Sequence, residues 1–264
     1  MRAYRAIFSA RFRMLLQYRA AALAGLGTQV FWGWVRVMIF GAFYEAVRPG
    51  GAPLDMAQVV TYVWLGQATF RLLPFRADPE IAATVRSGSV AYELARPLQL
   101  YALWYARALA DMTAPTLLRA VPMFVLALLF FGMGLPASPA ATVAWAAATA
   151  NAALLSAAIV TLLSISLLWT VSGEGVSQVL PPLAWVFSGM VLPLPLFPGW
   201  AQGAIGLLPF RDMMDVPFRI YMGDIGPTAW PAAFAHQVVW IVLLGGAGWL
   251  ALRRGARRLV VQGG

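Results

Sequence analysis

Apolar runs of about twenty residues recur along this 264-residue chain, separated by short stretches that carry arginine, proline and glycine. A helix rises 1.5 Å per residue, so about 20 apolar residues suffice to cross the roughly 30 Å hydrocarbon core of a bilayer. That repeat constrains the fold more than any motif. Only 11% of residues are charged, against about 25% in an ordinary globular domain. The expected fold class is therefore all-α: a polytopic membrane protein, with one transmembrane domain over 1–264 and no room for a sizeable water-soluble one.

Six transmembrane helices are expected. They run from about Ala22 to Tyr44, Ala57 to Leu73, Ala120 to Leu135 (with helix beginning near Gln99), within Ala140 to Val171, Val176 to Phe197, and Phe234 to Leu252. The fourth exceeds a bilayer core and must project or tilt, and Pro181 and Pro182 should kink the fifth. Ahead of them, residues 1–21 alternate Arg2, Arg5, Arg11, Arg13 and Arg19 with Tyr4, Ile7, Phe8, Phe12, Leu15 and Leu16. This is the pattern of an amphipathic interfacial helix on an anionic membrane surface, or more plainly of a basic flank that fixes topology. No internal repeat is visible.

Charge sets the orientation. All 19 basic residues are arginine. Fifteen fall on one side, in the N-terminal helix, residues 71–119 and "RRGARR", with five acids: Asp78, Glu80, Glu93, Asp111 and Glu174. Three (Arg48, Arg211, Arg219) fall on the other with Glu45, Asp55, Asp212, Asp215 and Asp224. Arginine collects on cytoplasmic segments, so the expectation is N-in/C-in. The net charge of +9 then reports topology and membrane lipids as partners, not nucleic acid.

The chemistry is mostly excluded. Without lysine there is no P-loop lysine and no Schiff base; without cysteine there is no thiolate nucleophile or thiolate metal site. No GxSxG, HExxH or paired-carboxylate pattern appears. The chain is expected to be non-catalytic by itself, with no cofactor and no metal of its own. His236, the single histidine, fits interfacial packing with a polar tip, a proton-linked role being the sharper alternative. Arg36 lies inside the first span, where a charge is costly, and should face a partner or a cavity. With Gln67 and Trp185 it marks an expected translocation path or subunit interface. Arg107 and Asp111, four apart, should form a supporting pair on one helix face. Residues 198–228, apolar and rich in proline and glycine, read as an outer re-entrant hairpin buried against protein, with Gly199 and Gly203 allowing close helix approach.

The inner loop between the second and third spans, residues 74–98, carries helix-start chemistry: Asp78 as N-cap, Pro79 at the first position and Glu80 in the first turn. Gly88 can end that helix in a left-handed conformation, and Pro97 suits the start of the next. A short capped helix flanked by charge suits docking to a cytoplasmic partner, or equally an interfacial helix with none.

This loop, "IAATVRSGSVAYELARPLQLYALWYARAL", resembles the inner-loop signature of ABC-2-type transporter permeases, whose pattern matches Ile81, Gly88, Leu94, Arg96 and Pro97. The outer "SGMVLPLPLFPGWAQGAIGLLPF" resembles the same family's proline-rich segment before the last span. The resemblance implies a permease subunit of an ABC exporter, moving a hydrophobic or amphiphilic compound outward. It implies two copies of an ATP-binding subunit, which hold the ATP and Mg, and a second permease, identical or homologous. The cytoplasmic coupling helix would then lie around Asp78 to Ser87, with Arg76, Asp78, Glu80, Ile81, Arg86, Gly88, Glu93, Arg96, Pro97 and Glu174 at the ATPase joint. A channel or a scaffold subunit of a larger membrane assembly is the alternative.

Overall fold

In the computed structural model, residues 2–17, 19–46, 51–94, 97–169 and 174–256 are described, and every regular element among them is helical. Helix α1 (Arg2–Leu16) lies along α6 (Leu100–Phe130). Between them come α2 (Arg19–Ala46), α3 (Met56–Thr69), α4 (Pro79–Arg86) and α5 (Val90–Leu94). After α6 follow α7 (Pro139–Ser166), α8 (Glu174–Phe187), α9 (Gly199–Leu207), α10 (Asp215–Met222) and α11 (Trp230–Ala256).

The helix starts follow from local chemistry. Asp55 caps α3 in a reciprocal box: its carboxylate accepts from the Gln58 amide at 2.7 Å, and the Gln58 side chain accepts from the Asp55 amide at 2.9 Å. Ser138 caps α7 ahead of Pro139. The start of α6 has no side-chain cap of its own; the Gln99 amide instead donates to the Tyr4 hydroxyl of α1 at 2.8 Å. Pro97 thus lies in the bend before α6, not at its first position, and helix begins where the sequence places it, just after Gln99.

Helix α7 is the centre. Its alanine row Ala141, Ala144, Ala148 and Ala152 recurs every three to four residues and is buried, letting α10 and α11 approach closely. Ala144 and Ala148 form one packed cluster with Val216, Ile220 and Ala233. On the other side, α3 and α6 pack into the main core around Tyr62, Trp64, Met112, Met123, Leu155 and Leu163. Trp64 is fully buried and stacks on Phe131, ring centroids 4.6 Å apart. Gly33 makes room for it: a Cβ there would come 2.6 Å from the Trp64 ring.

Three segments, Leu100–Phe130, Pro139–Ser166 and Pro227–Ala256, are long and apolar enough to cross a membrane. Helix α2 matches them in length, at 28 residues, while α3 and α8 have 14 each, short of the ~20 a straight crossing needs. The fifth apolar run therefore does not continue as helix to Phe197. It stops at Phe187, and the chain turns at Gly189 (φ +91°), where the Tyr62 hydroxyl occupies the place a side chain would take. Large apolar side chains point outward from α2 (Phe31, Ile39), α6 (Val121, Phe130) and α11 (Val242, Leu243), as lipid-facing helices do and a water-soluble surface does not.

Residues 198–228 form α9, a 3-10 turn (Pro209–Met213) and α10. The α10 side chains Val216, Phe218, Ile220 and Tyr221 are buried, so this proline-broken segment is folded against protein. Gly199 and Gly203, however, are not close-approach points within the chain: a Cβ at either meets nothing within 4 Å.

Candidate functional site

The short helix of the 74–98 loop forms as its sequence predicts. Asp78 is the N-cap, its carboxylate accepting from the amides of Glu80 (2.8 Å) and Ile81 (3.3 Å). Gly88 is left-handed at φ +72° with open space around it. Ile81 is the apolar pin: it is buried with Val90, Leu103, Trp104, Ile165 and Leu252, which docks α4 onto α6, α7 and α11.

Charge then clasps this helix to its neighbours. Arg11 of α1 grips Asp111 of α6 with two contacts, at 2.6 and 3.1 Å. The same guanidinium holds both Glu80 carboxylate oxygens at 3.0 Å. Arg107 of α6 reaches Glu80 at 2.6 Å and Asp78 at 3.2 Å. The expected pair of Arg107 with Asp111 is thus not the arrangement found. Each instead reaches across to another helix, and two arginines, from α1 and α6, bind three acids from α4 and α6. The Arg11 guanidinium, hydrogen-bonded to Glu80, holds that carboxyl below its ordinary range against a smaller opposing effect of burial. For Arg11, burial opposes the charge, but Asp111 and Glu80 more than compensate and hold it firmly protonated.

Other residues singled out from the sequence divide in two. Glu93 accepts from the Trp104 indole at 2.9 Å, so it too faces inward. Arg76, Arg86 and Pro97 are exposed, as is Gly88, and no hydrogen bond or ion pair holds Arg76 or Arg86 among the described residues. Arg96 lies outside the described residues; Glu174 opens α8, its side chain outside them as well. Farther along the bundle, Arg36 donates to the Val191 carbonyl at 3.2 Å and lies against the Met190 sulfur. Gln67 is buried on α3, facing Gly33 of α2. Trp185 meets Phe70 and Phe75 edge-on, centroids 6.3 Å away. These three sit at different contacts and are not brought to one point.

Sequence reading missed Arg11 as a site residue. Its signal was available: Tyr4, Phe8 and Arg11 fall on one helix face at spacings of four and three, which puts an arginine on the stripe otherwise occupied by aromatics. It also missed a second cluster at the opposite end of the bundle. There the Asp212 carboxylate, fully buried, meets His236 Nδ1 at 2.6 Å. Trp240 Nε1 approaches the other ring nitrogen at 3.3 Å. Gln237 donates to the carbonyls of Asp212 and Ala148, both at 3.0 Å, and accepts from Asn151. Nearby, buried Asp215 accepts from the Tyr62 hydroxyl at 3.0 Å and pairs with Arg219, which also holds Asp224. Burial pushes the Asp212 carboxyl up to about 6, partly countered by His236 and Arg211. His236 is therefore more than a packed ring with a polar tip: it is the partner of a buried acid. Among the described residues no cluster of three or more His, Asp or Glu side chains is placed to hold a metal.

No curated protein and no solved structure matches the chain. A family model described as "ABC-2 family transporter protein" does match, over residues 54–263, from the residue before the α3 cap to the C-terminus. The matched region covers well over half of the sequence and includes α4 and the acids of the clasp, Asp78, Glu80 and Asp111, while α1 with Arg11 precedes it. The chain is a multi-pass membrane protein that belongs to the ABC-2 transporter family.

Proposed function

We propose that this chain is the non-catalytic permease subunit of an ATP-driven exporter that moves a hydrophobic or amphiphilic compound out of a bacterial cell. Two ATP-binding subunits would dock on the α4–α5 loop, each complex containing this permease and a second one, identical or homologous. ATP and Mg would stay on the ATPase, since this chain has no lysine with which to build a P-loop. The arginine asymmetry supports six spans with both termini cytoplasmic and residues 198–228 as an outer re-entrant segment. Arg36, Gln67 and Trp185 would face the path or the second permease.

The observation that carries this reading is the division of labour in the loop. Its acids Asp78, Glu80 and Glu93 are tied inward to α1 and α6, while Arg86 and the Tyr92 ring, 78% exposed, are open to the outside. An exposed tyrosine and an unpaired arginine on one short loop are the kind of anchor that protein interfaces use. The acids then transmit motion into the bundle, and Arg86 with Tyr92 receives it. Capture of the ATP-binding subunit by Tyr92→Ala and Arg86→Glu variants tests this. An anchor worth about 2 kcal/mol predicts a roughly thirty-fold loss of capture, with membrane insertion intact and export abolished. Unchanged capture and export in the double variant would refute it, and purification without a stoichiometric ATP-binding protein would favour a scaffold role.

A further inference from the structure

A cavity of about 290 Å³ opens beside the clasp, between α1, the end of α3, α4, α6 and α7. Leu73, Phe75, Met112 and Val160 give it an apolar wall, and Arg71 and Arg76 give it a charged one. The acids that also line it are spent: Asp111 and Glu80 are held by Arg11, and Asp78 and Glu80 by Arg107. Arg71 and Arg76 have no hydrogen-bond or ion-pair partner among the described residues.

A third arginine lies outside the cavity lining but near enough for its charge to act on Arg71. Arg119 of α6 lies against Gly25 of α2, where a Cβ would come 2.7 Å from its guanidinium carbon. It too lacks a partner among the described residues, and its Nε is buried with no acceptor. Arg71 feels the charges of both Arg119 and Arg76, with Asp111 as the nearby acid. Two guanidinium charges that repel Arg71, at the inner end of a membrane bundle where the nearby acids are already paired, make that group expensive to hold. An anion among them would satisfy their donors and relieve the repulsion, and guanidinium is the group best shaped to grip a phosphate.

We propose that Arg71 and Arg76, backed by the charge of Arg119, form a binding site for the phosphate headgroup of an anionic amphiphile, its chain lying along the apolar wall of the cavity. This goes beyond the transport reading and does not depend on it: the site would exist whether or not an ATPase docks on α4. The apolar wall distinguishes it from a surface patch that attracts any anion.

The test uses the full chain, delipidated in a neutral detergent and titrated with phosphatidylglycerol, phosphatidylcholine or inorganic phosphate, with bound lipid read by native mass spectrometry. Both lipids present a phosphodiester, but the choline cation competes with the arginines for it, so a preference of at least about tenfold for phosphatidylglycerol over phosphatidylcholine, the equivalent of one charge-assisted contact, is expected. Arg71→Gln/Arg119→Gln should abolish that preference, and Arg71→Lys/Arg119→Lys should retain most of it, which separates charge from folding. Arg76→Gln, at an exposed position, should weaken it severalfold without touching the packed interior. Displacement of the lipid by inorganic phosphate would assign the site to the anion itself, and bound lipid that resists phosphate would assign it to the whole amphiphile; both support the site. Equal retention of the two lipids, or a preference that survives both Arg71→Gln/Arg119→Gln and Arg76→Gln, overturns it.

Discussion

Replacing Arg11 by methionine should loosen α1 from α4 and α6. The side chain is only 16% exposed and makes two contacts to Asp111, itself three-quarters covered, and two to Glu80, which is 57% exposed. The two arms are therefore unequal. Removing a partner from a fully buried charge costs about 3–5 kcal/mol; with Asp111 partly solvated, about 2–3 is expected. The Glu80 arm faces water and contributes less than about 1 kcal/mol. Arg11→Met should accordingly lower the unfolding temperature in detergent by roughly 4–12 °C, at 2–4 °C per kcal/mol for a chain of this size. Glu80→Gln should lower it by no more than about 4 °C. Asp111→Asn in the Arg11→Met background should recover part of the loss, because no carboxylate is then stranded. Export should fall in Arg11→Met while ATPase capture stays, since the exposed face of α4 is untouched. Additive losses in the double variant, or shifts below about 2 °C for Arg11→Met, would show that the clasp constrains nothing.

Gly33→Ala places a methyl against the Trp64 ring and should cost about 1–3 kcal/mol by overpacking, measured as a fall in unfolding temperature that Trp64→Leu relieves. Gly88→Ala meets open space, so only the left-handed backbone resists it; a loss of about 1 kcal/mol is expected, visible as faster amide exchange in α5. Asp212 makes stability depend on pH. Its carboxyl is raised from the ordinary 3.8 to about 6, so the folded protein holds a proton that the unfolded chain releases between those values. Stability should be greatest at and below the lower value and fall, by an amount on the order of 2–3 kcal/mol, as pH rises through about 6. Thermal unfolding across that window should show a steeper fall in the parent than in Asp212→Asn.

Much of the helical order was legible because it depends on local signals. Asp78–Pro79–Glu80 is a helix start by hydrogen-bond chemistry alone, and a glycine eight residues past Glu80 is a credible stop. Long apolar runs announce α6, α7 and α11 by length. What was not legible depends on the third dimension. Asp78 and Glu80 look from the sequence like surface charges awaiting a partner; only packing brings Arg11, some seventy residues earlier, and Arg107 against them. Arg107 and Asp111 satisfy the spacing rule for a pair, yet stronger partners on other helices win. His236 offers no clue to Asp212, 24 positions away. The end of α8 at Phe187 was likewise hidden, because apolar composition continues beyond it while the glycine turn under Tyr62 ends the helix.

Both inward ties of the α4–α5 loop end on one helix. Glu93 is fastened to Trp104, and Glu80 with Asp78 to Arg107, three residues farther on and about 4.5 Å up the axis. Tyr4 and Arg11 brace the same helix from α1, at Gln99 and Asp111. A push on the loop thus acts off-axis on one flank of α6, as a torque. The far end of α6 runs into Phe131, whose ring lies flat on Trp64 of α3. A twist entering at Arg107 would leave through that stack, so α3 and α6 should turn as geared shafts while α7 stays still as the axle housing. The chain has no cysteine, so paired spin labels at the exposed Val121 of α6 and Val143 of α7 can report such a rotation, and a separation unchanged by ATPase binding and nucleotide would rule it out.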